Sequence, residues 1–299
     1  MQPKKLEFDF DDESKSVVMA VRQNVLSRIL EGQWTARYKG QGMEFSEYRT
    51  YVYGDDATAI DWKASLRSGN TLVKEFEEDR SAAAIFLFDV GDSMLFSTRK
   101  DGKMKVEYAA ELVLFTTKAI LKSGHAAGLM MFSDNLKTKI DPNIGLAIEK
   151  EFKNKFHDKT KYGGKFNFSK AMQMLLSLGN QRLVIIIVSD FIGMPEGWHK
   201  YIEILNQKYE IIGVMIRDHR DRYLPHEGQI MLKDPSTEET IYIDAAAYAP
   251  KYHKQVLEEE KIIEKKFKAS KADLLKLETK QDSYAGIVKF FKQIKVINK

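Results

Sequence analysis

The stretch FLFDVGDSMLFS, residues 86–97, sets Asp89, Asp92 and Ser93 directly after a run of apolar residues that begins at Ala82. A second run, IIIVSDF, residues 185–191, stops in the same way at Ser189 and Asp190. Carboxylates, hydroxyls and water are the ligands that suit magnesium or manganese. In an open α/β sheet, ligands bind outside the carboxyl ends of the strands. If these two strands are neighbours, Asp89 and Asp190 converge on one rim, and Ser93 can add its hydroxyl. A plainer reading stands beside this one. Asp and Ser after a strand commonly cap the next helix, and spacing alone leaves both readings open.

The elements that must position these residues follow from hydrophobic periodicity. AAAIFLFDV, AAGLMMFSD, RLVIIIVSDF and EIIGVMIRD are short continuous apolar runs, as expected for strands covered on both faces. KMKVEYAAELVLFTTKAILKSG, IGLAIEKEFKNKFHD, NFSKAMQMLLSLG and GWHKYIEILNQKY between them read as helices. Alternating buried strands and helices predict an α/β fold, a mainly parallel sheet over residues 81–218 with helices on both faces. Ahead of it, residues 1–80 supply a helix with Val17, Val21, Val25 and Ile29 on one face, a strand up to Tyr53, a turn at Gly54-Asp55 and a strand in TLVKEFEED. Behind it, residues 219–299 read as a hairpin, GQIMLKDPSTEETIYID, and then helix with a lysine-rich outer face.

Composition narrows the chemistry. The chain has 299 residues, 43% of them hydrophobic and 11% aromatic, enough for a sizeable core, and its net charge is +4. It has no cysteine, which excludes disulfides, thiolate metal sites and cysteine nucleophiles. The first residues carry no signal-peptide core and no stretch reaches the ~20 apolar residues of a membrane span, so a cytoplasmic protein is expected. There is no phosphate-binding glycine loop, and the six histidines show no metal-ligand spacing.

Two segments carry a family resemblance. FDVGDSM followed later by IVSDF resembles a degenerate metal-ion-dependent adhesion site of the von Willebrand factor A fold. That site uses Asp-x-Ser-x-Ser after the first strand, a threonine from a second loop and an aspartate after a later strand. The segment GQGMEFSEYRTYVYGDDATAIDWKASLRSGNTLVKEFEEDR resembles the hallmark of the DUF58 family (domain of unknown function 58) through Gly42, Glu44, Phe45, Arg49, Tyr51, Gly54, Asp55, Asp56, Asp61, Trp62 and Arg67. The resemblance implies a Rossmann-like von Willebrand factor A core whose metal position is formed by Asp89, Ser93 and Asp190, with Asp92 as a further carboxylate. The sequence departs from the pattern at two places. Gly91 replaces the first serine, and Lys165 or Phe166 of YGGKFNFSKAM takes the threonine position. The site is therefore expected to hold no metal, or to bind Mg2+ or Mn2+ weakly, with the Lys165 ammonium as a candidate occupant. Arg49 and Arg67 are expected to pair with acids such as Asp61.

Such proteins are usually encoded beside MoxR-type AAA ATPases. The resemblance thus implies a non-catalytic interaction module, partner or adaptor of such an ATPase in chaperone-like assembly or maturation of a client protein. Two other functions compete. One is a metal-dependent phosphohydrolase using Asp89 and Asp190, although Gly91 stands where a second catalytic aspartate belongs. The other is weak nucleic-acid binding through the C-terminal lysines, where interleaved glutamates instead suggest pairing along a solvated face.

Overall fold

The computed structural model describes residues 6–8, 10, 43–78, 83–98, 102–179, 183–225, 228–233, 240–280, 285–286 and 288. The helix expected around Val17–Ile29 lies outside them. At the centre is a six-stranded sheet built from β3 (Ala83–Asp89), β4 (Ala126–Phe132), β5 (Leu136–Asn143), β6 (Leu183–Ser189), β7 (Glu210–Arg217) and β10 (Asp273–Glu278), in the order β10-β7-β6-β3-β4-β5. All neighbours are parallel except β5, which runs antiparallel to β4 along one edge. From β3 the chain winds outward through β4 and β5, then returns to the other side of β3 as β6. That reversal leaves a crevice between the carboxyl ends of β3 and β6.

Alternation along the strands builds two cores. Ala84, Phe86, Phe88 and Val188 face α2 (Lys105–Lys122) and α3 (Leu146–His157). Ile85, Leu87, Ile185 and Ile187 face α4 (Phe168–Leu176), α5 (His199–Lys208) and α7 (Ala245–Ala269). Successive side chains of a strand point to opposite faces. A strand covered on both is apolar throughout, which is why the central strands were legible in the sequence. Two antiparallel pairs accompany the sheet: β1 (Met43–Thr50) with β2 (Leu72–Glu78), and β8 (Gln229–Lys233) with β9 (Thr240–Asp244). The short α1 (Trp62–Ser68) lies between β1 and β2, and the four-residue α6 (His219–Arg222) follows β7.

Two strands were not read from the sequence. β5 carries Lys137, Lys139 and Pro142, which suit an edge strand and dilute its apolar pattern. β10 falls in KADLLKLETK, where helix was expected. Pairing with β7 overrides the helical spacing of its leucines, and Leu275 and Leu277 are buried against the α2–α3 face. The sheet thus takes its sixth strand from residues 273–278, well beyond residue 218.

Gly213 on β7 lets α7 close over the sheet. A Cβ there would lie 2.6 Å from Cε1 of Phe267 and 2.9 Å from Cδ1 of Leu274. Gly213→Val should therefore lower the unfolding free energy by about 1–3 kcal/mol. Urea denaturation reads this directly, and an unchanged midpoint would mean that Phe267 is not seated on β7.

Candidate functional site

Asp89 ends β3 and Asp190 follows β6, so the crevice brings the two expected carboxylates to one rim, each only 1% exposed. Their oxygens already accept from the protein. Asp89 Oδ1 accepts from Gly91 N–H at 2.8 Å, and Oδ2 from the Ser189 hydroxyl at 2.7 Å. Asp190 Oδ1 accepts from Ile192 N–H at 3.0 Å, and Oδ2 from the Lys105 ammonium at 2.7 Å. Lys105 opens α2, is 1% exposed, and also donates to Asp221 of α6 at 3.0 and 3.2 Å.

The electrostatics follow from burial. Desolvation, reinforced by the charge of Asp190, pushes the Asp89 carboxyl up to about 7. Desolvation also opposes ionisation of Asp190, but the Lys105 ammonium outweighs it and holds that carboxyl below its ordinary value. Burial works against the Lys105 charge as well, and Asp190 and Asp221 together keep its pKa above the usual lysine value. Arg217, 2% exposed at the end of β7, adds a second positive charge whose field also favours the Asp190 carboxylate. The crevice thus contains a neutralised ion cluster.

The remaining predicted residues separate into two groups. Asp92 latches the glycine loop: its Oδ1 accepts from Gly164 N–H at 3.0 Å, and its own N–H donates to the Gly164 carbonyl at 3.0 Å. Gly163 N–H donates to Val90 O at 2.8 Å, so the loop is sealed on both sides of Gly91. A Cβ on Gly91 would lie 3.0 Å from Asp89 Oδ1, 3.1 Å from Gly164 O and 3.3 Å from Phe166 Cβ. Gly91 and the loop's approach are therefore one feature, since a side chain there would press the loop away. Phe166 packs edge-on against Phe132 and Phe168. Ser93 sits in a single 3-10 turn, Asp92–Leu95, and is no hydrogen-bond partner of either carboxylate.

Lys165 is exposed, and the ammonium on Asp190 belongs to Lys105. The expected compensation by a lysine is present, but from a different element. Sequence reasoning missed Lys105, Asp221, Arg217 and the bond from Ser189 to Asp89. The available signal was a lysine on the helix face shared with Tyr108, Ala109 and Leu112, all buried. Among the described residues no group of three or more His, Cys, Asp or Glu side chains is arranged to hold a metal ion.

The hallmark segment forms a self-braced unit. Arg49 pairs with Asp55 rather than Asp61, through Nη1–Oδ2 at 2.9 Å and Nη2–Oδ1 at 3.1 Å, and Val52 N–H joins Oδ2 at 2.8 Å. Gly54 takes the positive φ, +108°, that this turn requires. Asp56 caps the turn Ala57–Ala59. Asp61 caps α1, with its Oδ2 accepting from Tyr48 and Lys74. Arg67 is exposed and has no ion pair among the described residues, so its expected partnership with Asp61 is replaced by that of Lys74. Glu44 and Phe45 lie in β1, and Gly42 lies outside the described residues. Tyr51 ties the end of β1 to the start of β2 through its N–H to Thr71 O at 2.8 Å.

The raised pKa of Asp89 has a sign that can be measured. Its protonated form is favoured by the fold, so the stabilisation is complete below about pH 4 and is lost as pH rises through about 7. Asp89→Asn keeps a neutral isostere. Between about pH 5 and about pH 8 the unmodified chain should lose about 2–3 kcal/mol relative to this variant. Parallel stability profiles for the two chains would contradict the assignment.

With the geometry in hand, comparison places the chain among known proteins. It is 23% identical over 303 residues to the uncharacterized proteins Mb1516 of Mycobacterium bovis and Rv1480 of Mycobacterium tuberculosis, covering 96% of this chain and 92% of each of theirs. Among solved structures it is similar to the conserved hypothetical protein BatB of Bacteroides thetaiotaomicron (11% identity, 72% of this chain and 99% of that chain, TM-score 0.43). It is also similar to a von Willebrand factor type A protein of Catenulispora acidiphila (8% identity, 75% and 43%, TM-score 0.34). No helix among the described residues is long and apolar enough to cross a membrane. The family described as "Protein of unknown function DUF58" matches residues 47–262, from the hallmark segment through most of α7, and the chain belongs to that family.

Proposed function

We propose that this chain is a non-enzymatic protein-interaction module, a cytoplasmic partner of a MoxR-type AAA ATPase in the assembly or maturation of a client protein. The observation that carries this reading is the state of the rim. All four oxygens of Asp89 and Asp190 accept hydrogen bonds from Gly91, Ser189, Ile192 and Lys105. A carboxylate pair engaged in this way supplies structure rather than an open metal shell or a general base. The degenerate adhesion site is accordingly a scaffold in which an internal ammonium does the electrostatic work of a cation. A phosphohydrolase would need a free carboxylate where Gly91 is packed against Gly164. Nucleic-acid binding is disfavoured by the glutamates on the outer face of α7, such as Glu264, which pairs with Lys276 at 2.7 Å.

The contact face that best suits a protein partner is the hallmark unit. Asp55, Asp56 and Asp61 are engaged within the unit, while Tyr53, Trp62 and Leu66 remain 99%, 65% and 85% exposed. Exposed aromatic and aliphatic side chains grouped in this way are typical binding anchors. Trp62 and Leu66 lie one turn apart on α1, beside the cations Lys63 and Arg67.

Biolayer interferometry against the purified MoxR-type ATPase of the same organism should show saturable binding. The double variant Trp62→Ala, Leu66→Ala should weaken it at least about tenfold, or about 1.4 kcal/mol, with an unchanged melting temperature. Absence of binding, or magnesium-dependent phosphoester turnover that vanishes in Asp89→Asn, would overturn this function.

A further inference from the structure

Residues 6–10, LEFDF, alternate apolar and acidic side chains. In the structure Leu6, Phe8 and Phe10 pack onto the core face covered by α2 and α3, while Glu7 is exposed. Phe8 and Phe10 stack at 5.4 Å and both rest on Phe156, at 6.5 and 6.2 Å. Phe8 also meets Tyr162 at 5.7 Å, and Phe10 stands edge-on to His157 at 5.2 Å. A main-chain bond holds the arm: Glu7 N–H donates to Glu107 Oε1 at 2.7 Å. The other oxygen of Glu107 accepts from Met104 N–H at 2.8 Å and caps α2.

The surface beneath is built by α3 and the turn that follows it. Phe152 and Phe156 are fully buried, and the Tyr162 hydroxyl is anchored to Phe156 O at 2.8 Å. The three side chains of the arm are only half-buried, unlike the central strands. A groove of aromatic rings with one buried carboxylate oxygen aimed at a backbone N–H is the recognition pattern for an extended peptide, where side chains at every second position enter pockets and the main chain is held by hydrogen bonds. Its position also matters. Glu107 is two residues from Lys105, and Tyr162 adjoins Gly163, whose N–H is bonded to Val90. The groove therefore borders the rim that holds Asp89 and Asp190.

We propose that this groove is a peptide-binding site, filled in the free chain by its own Leu6–Phe10 arm and open to a partner protein's extended segment with the same alternation of aromatic or aliphatic residues. The arm is then an intramolecular competitor. The site is separate from the hallmark unit and does not depend on the ATPase partnership. A tethered ligand acts at an effective concentration in the millimolar range, so it should weaken a competing peptide by at least about tenfold.

The test uses the full chain and a fluorescent peptide of residues 4–12, KKLEFDFDD. The Phe8→Ala, Phe10→Ala chain should keep its cooperative melt and bind the peptide at least about tenfold more tightly than the unmodified chain. A peptide with alanine at both phenylalanines should bind neither. The chain has no cysteine, so dyes on Lys4→Cys and Lys159→Cys can report the arm in an otherwise unmodified chain, and excess peptide should lower energy transfer. Loss of the cooperative melt in the double variant would show the arm to be an integral part of the core and would overturn the proposal. Equal affinity of the two chains, binding of the alanine peptide, or transfer that stays constant while peptide binds would overturn it as well.

Discussion

Four segments meet at one buried ammonium. Lys105 comes from the first turn of α2, Asp190 from the end of β6 and Asp221 from α6 after β7, while Tyr252 of α7 donates to the Asp221 carbonyl at 3.1 Å. A charge taken out of water is tolerated only when opposite charge and hydrogen bonds surround it. Without Lys105, only the field of Arg217, among the described residues, would offset the carboxylates in the crevice at the sheet's reversal. Lys105 provides that balance, and the packing around it is arranged accordingly. The glycine loop closes over Gly91, Asp92 holds Gly164, and Ser189 is free to serve Asp89.

This arrangement links the two departures of the sequence from an adhesion site. A threonine ligand needs a loop held away from the strand by the width of a metal shell. Here the loop lies against Gly91, with Phe166 turned onto Phe132. A serine at residue 91 would press on Asp89 and the Gly164 carbonyl, and a metal would have few open ligands. The rim thereby becomes a closed junction, with Ile192 and Phe96 part-exposed beside it, while the most exposed apolar side chains among the described residues, Tyr53 and Leu66, lie on the hallmark unit.

The central strands and most helices were legible in the sequence because burial on both faces writes itself as unbroken apolar runs. The edge strands were not. β5 and β10 have one partner each, and their lysines and leucines mimic loop and helix spacing. Convergence of Asp89 and Asp190 was legible from their places at strand ends. The ammonium was not, because Lys105 and Asp190 are 85 residues apart and only the fold brings them together. The carboxylates' need for a cation was readable, whereas choosing Lys105 over Lys165 required knowing which way α2 begins. The Arg49–Asp55 pair was similarly hidden, since a tight turn at Gly54 brings together residues that the strand pattern alone keeps apart.

The central claim is that the Lys105 ammonium, rather than a metal or Lys165, balances the rim. Denaturant unfolding of Lys105→Met and Lys165→Met tests it most directly, since methionine keeps the apolar stem and removes the charged hydrogen-bond donor. Leaving Asp190 and Asp221 unbalanced should lower stability by about 3–5 kcal/mol in Lys105→Met. Lys165→Met, on an exposed loop, should stay within about 0.5 kcal/mol of the unmodified chain. Near-equal stabilities for the two variants, or a loss confined to Lys165→Met, would contradict the account.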